Sequence, residues 1–158
     1  MKRTAIIGIG NILLGDEGVG VHLIERLKKE FLPENVELYD CGVSGLKILN
    51  ILESFERIII IDALKLGKKP GTIYIFSIDP DYGEDMNRIS GMTSLHDLDL
   101  TATIQIAKLT GFKLPKEIVV LGIEPKTLEP KIGLSSEVEA AIEKVTNFII
   151  ENLIECEK

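Results

Sequence analysis

Glutamine, cysteine and long apolar runs are scarce in this 158-residue sequence, and its positive charge is outweighed by negative. Two cysteines, Cys41 and Cys156, supply neither a disulfide framework nor the spacing of a zinc site, so a reducing, cytoplasmic setting is expected. No stretch approaches the roughly 20 apolar residues needed to span a bilayer, which argues against a membrane-embedded role. Met1-Lys-Arg ahead of an apolar run has the outline of a secretory leader. Asn11, Asp16 and Glu17 interrupt that run, and no small-residue cleavage site follows, so no leader is expected. The formal net charge of −7 argues against nucleic acid or an anionic membrane as the main partner. Lys28-Lys29 and the lysines between Lys65 and Lys69 are short enough to be solvated faces. Gln105 is the one glutamine, and beside abundant isoleucine, lysine and glutamate it gives the bias of proteins from hot environments. No repeat, low-complexity tract or linker interrupts the chain, so residues 1–158 are expected to form one domain.

What is present alternates between two periods. Ala5 to Ile9 is a short apolar run ended by glycine, a buried strand. Val19, Leu23, Leu27 and Phe31 then fall on one helical face, with Asp16 as a candidate N-cap and Pro33 as the stop. Val36 to Tyr39 reads as a strand, and Ser44 to Phe55 as a helix burying Ile48, Ile51, Leu52 and Phe55. Arg57 to Ala63, "RIIIIDA", has four isoleucines in a row and must be covered on both faces. Thr72 to Ile78 is a further strand, too close behind its predecessor for a helical crossover, and so antiparallel or at an edge. Residues 79–95 form a long polar loop of the kind that carries function. Leu98 to Leu109 reads as helix, Glu117 to Ile123 as strand, and Glu137 to Ile154 as the closing helix, with a capping box from Ser136 and Glu139. The order implies an α/β, three-layer sandwich: a mostly parallel twisted sheet with one antiparallel or edge strand and helices on both faces.

In such a sheet, ligands bind beyond the carboxyl ends of the strands. Those ends carry Asn11, Asp16 and Glu17; then Asp40-Cys41-Gly42; then Asp62; and His96 with Asp97 and Asp99 follow from the long loop. A Glu, an Asp and a His make an oxygen-and-nitrogen donor set for a divalent transition metal, with positions left open for water or substrate. The bland readings stand beside this one. Asp16 and Glu17 also suit helix capping, Asp62 a turn, and His96 an exposed position ahead of an Asp97 N-cap. His22 reads as a surface residue, Cys41 as a small buried one and Cys156 as tail.

The opening motif "GIGNILLGDEGVG" begins like a phosphate-cradling turn. It departs from the dinucleotide fingerprint because Leu13 stands where the third glycine belongs. Two acids also occupy the mouth of the helix. At about 4 Å and an effective dielectric near 20, each like-charge pair would cost about 4 kcal/mol against a phosphate. A cation suits this loop better than an anion.

Taken together, "GIGNILLGDEGVG", "IDA" around Asp62, "SLHDLDL" around His96 and "LEPKIGLS" at 128–135 resemble the hydrogenase maturation endopeptidase family. These proteases finish the large subunit of nickel–iron hydrogenases, and the resemblance runs in the same order from Thr4 to about Leu153. It implies that Glu17, Asp62 and His96 form the metal-engaging catalytic site. Asp40-Cys41-Gly42 matches a segment usually written Asp-Gly-Gly and linked to substrate recognition, from which Cys41 departs. The implied substrate is the large-subunit precursor with nickel already inserted, and the implied reaction removes its short C-terminal extension just after a basic residue. Nickel would thus be supplied by the substrate, with other divalent metals able to replace it in vitro. Water activation by metal or by a carboxylate, including an aspartyl-protease pairing of Glu17 with Asp62, stays open at this point. So do a non-catalytic nickel-binding assembly factor and a Rossmann-type nucleotide module.

Overall fold

Five segments pair into a single sheet, and the three central ones are almost wholly buried because their apolar side chains cannot face water. The computed structural model of the chain describes residues 2–43, 46–78, 80 and 100–154. The strands are β1 (Thr4–Ile9), β2 (Val36–Gly42), β3 (Arg57–Ala63), β4 (Ile73–Ile78) and β5 (Glu117–Ile123). Their order across the sheet is β2-β1-β3-β5-β4. All neighbours are parallel except β4, which lies antiparallel to β5 at the edge. Among the described residues there are four α-helices: α1 (Val19–Leu27), α2 (Leu46–Ser54), α3 (Leu100–Leu109) and α4 (Ser136–Phe148). None is long and apolar enough to cross a membrane.

The four isoleucines of β3 explain its central position. Ile59 and Ile61 pack with Leu23 and Ile24 of α1 and with Val138 and Ile142 of α4. Ile58 and Ile60 face the other way, into a core shared with Ile48 and Leu52 of α2 and Ile104 of α3. The period of two along the strand thus divides one apolar run between two helical layers. The inward residues expected for α2 are all buried, from Ile48 and Leu52 at 0% exposure to Ile51 at 7%.

Three local expectations are corrected. Phe31 does not extend the buried stripe of α1; it is 97% exposed. The helix tightens just after Leu27, where Lys29 and Glu30 bond back only three residues, to Arg26 and Leu27 carbonyls, and the helical phase is lost. Asp16 is not the N-cap of α1, since that helix starts at Val19 with Gly18 before it and no side-chain cap bond. The capping box is absent too. Ser135 rather than Ser136 is the N-cap of α4, and its side chain makes no cap bond to the helix.

The strand order reverses between β1 and β3. From β1 the chain moves outward to β2, and from β3 it builds in the opposite direction to β5 and β4. The crevice at the carboxyl tips of β1 and β3 is therefore the topological switch point, the place where sheets of this type bind ligands.

Candidate active site

Both described acids of the expected triad border that crevice. Glu17 lies in a short 3-10 turn, Gly15–Gly18, inserted between β1 and α1. Asp62 is the penultimate residue of β3. The turn packs against β3. Gly20 sets that approach: a Cβ there would overlap the carbonyl oxygens of Ile9 and Ile61, the residue preceding Asp62. The start of α1 thus rests directly on the tips of both strands.

Burial gives these acids their chemistry. Glu17 is 8% exposed and Asp62 6%, values rare for carboxylates at a surface edge. Asp62 Oδ1 accepts the backbone N–H of Ala63 at 2.8 Å, which fixes the carboxylate close to its own strand end. A carboxylate with part of its charge held from water favours the company of a cation. Among the described residues no group of three His, Cys, Asp or Glu side chains is arranged to hold a metal ion. His96, with Asp97 and Asp99, lies outside the described residues, so the third member of the expected set is known here only by its sequence position ahead of α3.

Asp16, the neighbour of Glu17, does something the sequence did not suggest. It is wholly buried, and its carboxylate accepts four hydrogen bonds from the 126–135 segment. Oδ2 takes the backbone N–H groups of Lys126 at 2.8 Å and Thr127 at 3.1 Å, and the Ser135 hydroxyl at 2.8 Å. Oδ1 takes the Ser135 backbone N–H at 2.7 Å. Glu124 plays a similar part after β5: buried, it accepts the N–H groups of Leu66 and Gly67 and the Tyr74 hydroxyl. An acid directly behind a fully apolar strand was the available signal for Glu124. The local sequence offered none for Asp16.

The Asp40-Cys41-Gly42 segment ends β2 alongside β1. Gly10 donates its N–H to the Gly42 carbonyl at 2.9 Å, and Asp40 Oδ1 accepts the Gly42 N–H at 2.9 Å, closing a tight turn. Cys41 points into the core at 3% exposure, and burial pushes its thiol pKa upward, so it is a structural residue and a poor nucleophile. An open groove of about 390 Å³ lies beside these two tips, walled by Gly10 to Leu13, Val21, Asp40, Gly42 and Val43. It lies on the β2 side of β1, and neither Glu17 nor Asp62 is in its walls. His22 is a further correction: it is half-buried, and its Nε2 is sealed from solvent without a hydrogen-bond partner.

The chain is similar to known proteins over most of its length. The family model described as hydrogenase maturation protease matches residues 21–152. The hydrogenase 2 maturation protease of Escherichia coli is 36% identical over 155 residues, covering 97% of this chain and 92% of that protein. The solved hydrogenase maturating endopeptidase HybD of E. coli superposes with a TM-score of 0.82 at 34% identity, over 96% of this chain and 91% of that one. The nickel–iron hydrogenase maturation protease HybD of Thermococcus kodakarensis gives 0.76 at 26% identity, over 97% and 99%.

Proposed function

The chain belongs to the hydrogenase maturation protease family, a family of peptide-bond hydrolases, and on that premise we propose how this member works. It removes the C-terminal extension from the precursor of a nickel–iron hydrogenase large subunit. Glu17, Asp62 and His96 engage the nickel that the precursor already carries, and that contact sets the scissile bond beside a water. The observation that best supports this reading is the pair of buried acids, Glu17 and Asp62, at the switch point between β1 and β3. Two carboxylates sheltered from water form a poor site for a phosphate and a good one for a divalent cation.

The donor set suits nickel or a similar ion: two carboxylate oxygens and an imidazole nitrogen leave positions for the precursor's own ligands. In the chemical step, water adds to the carbonyl carbon and the C–N bond breaks. The proton lost by the water ends on the departing amine. Glu17 or Asp62 would take that proton, and His96 would supply the third donor to the metal. Holding the precursor by its metal would convert a loose encounter into an oriented one, a gain that belongs to positioning rather than to a stronger base. The Asp40-to-Val43 rim and the neighbouring groove would hold the chain on one side of the cut. We place the reaction in the cytoplasm, in keeping with a sequence that uses only two cysteines.

Incubation of purified enzyme with nickel-loaded and metal-free precursor, followed by intact mass measurement, tests this reading. Loss of the extension from the loaded form alone is expected. Equal processing of the metal-free form would overturn the metal contact.

A further inference from the structure

The segment Lys126–Ser135, which contains "LEPKIGLS", bears no member of the expected triad, yet it is tied closely to the turn that bears Glu17. Gly15 donates its N–H to the Lys131 carbonyl at 2.8 Å, Asp16 to the Thr127 carbonyl at 3.0 Å, and Lys131 returns its own to Leu13 at 2.9 Å. Gly15 takes φ +59°, and a Cβ there would stand 3.0 Å from the Thr127 carbonyl oxygen. These backbone bonds fix the turn as a unit. The four donors converging on Asp16 then fix its rotation.

The rotation matters because of the helix type. A 3-10 turn has three residues per turn, so successive side chains diverge by about 120°. With the Asp16 carboxylate locked into the 126–135 segment, the next side chain, that of Glu17, is set to leave the turn in a different direction, and the turn also packs against β3, the strand that carries Asp62.

We propose that Asp16 is a positioning residue for Glu17, and that the 126–135 segment is the cradle through which it acts. Asp16 itself is no second metal ligand, since its carboxylate is already satisfied by four donors. The inference rests on the assignment of Glu17 proposed above.

The test compares Asp16→Asn, Ser135→Ala, their double variant and Glu17→Gln, in the full-length enzyme with nickel-loaded precursor. Asn keeps the shape of Asp but turns an NH2 group toward at least one of the N–H donors, so the cradle cannot close on it. At a temperature where circular dichroism shows each variant folded, Asp16→Asn is expected to lose tenfold or more in kcat with KM within twofold. Ser135→Ala should lose a few-fold, and the double variant should be no worse than Asp16→Asn, because both changes act on one set of bonds. Should Asp16→Asn fail to fold, Ser135→Ala decides: an unchanged kcat overturns the proposal. A kcat loss that follows only the unfolded fraction, and recovers on cooling, also overturns it. Inactive Glu17→Gln beside wild-type kcat in the other variants removes the positioning role alone. Wild-type kcat in Glu17→Gln removes the assignment of Glu17 itself.

Discussion

Ser135 gives both of its donors to Asp16: the backbone N–H to Oδ1 at 2.7 Å and the hydroxyl to Oδ2 at 2.8 Å. A residue placed to cap α4 is thereby committed to a turn 119 residues away along the chain. Removing the hydroxyl takes one bond from a buried carboxylate, so Ser135→Ala is expected to destabilise the fold by about 1–2 kcal/mol. Ser136→Ala, by contrast, should change stability by less than about 0.5 kcal/mol, because the Ser136 hydroxyl reaches only the exposed Glu137 side chain. Urea midpoints with unchanged slope would measure both. The reverse ranking would restore the capping box.

Gly20→Ala should be among the most damaging single changes in the protein. Its new methyl would meet backbone atoms of both Ile9 and Ile61, neither of which can yield as a side-chain end could. A cost of at least about 3 kcal/mol is expected, together with lost processing as α1 lifts from the strand tips. A thermal midpoint equal to wild type would contradict the seating described for α1.

Phe31→Ser should change stability by no more than about 0.5 kcal/mol, because the ring is 97% exposed. Leu27→Ala, one turn earlier and fully buried, should cost about 2–5 kcal/mol. Chemical denaturation of the pair would show where the buried stripe of α1 stops.

The buried hydroxyl of Tyr74 supplies a pH signature. Burial, then its hydrogen bond to Glu124, pushes its pKa up to about 12. The folded value lies above the unfolded one near 10, so the stability held by the neutral phenol is complete below about pH 10 and is lost as pH rises toward about 12. Across that window the unfolding free energy of the wild type should fall more steeply than that of Tyr74→Phe, by up to about 1.4 kcal/mol per pH unit. Parallel pH dependences would contradict the environment described for this residue.

How much could be read in advance follows from the range of each signal. The bounds of β3 and β5 were legible to the residue, because a fully buried strand is a run of apolar residues with polar ends. The edge position of β4 followed from its short connection to β3. Glu17 and Asp62 were legible as acids at strand tips, a position with a ligand-binding meaning of its own. Phe31 was misread because periodicity tells where a face lies but not where the helix stops. Asp16 was misread as a cap because its partners begin 110 residues away, and no local pattern encodes such a pairing. His22 was placed at the surface on its position beside the stripe, whereas neighbouring elements half-cover it.

The most direct measurement is the intact mass of nickel-loaded precursor after incubation with wild-type enzyme and with Glu17→Gln, Asp62→Asn and His96→Ala, each shown to be folded. Wild type is expected to shed the C-terminal extension completely, while each variant leaves the precursor at full mass or slows its loss by at least a hundredfold. Complete processing by all three variants would contradict the site built on these residues.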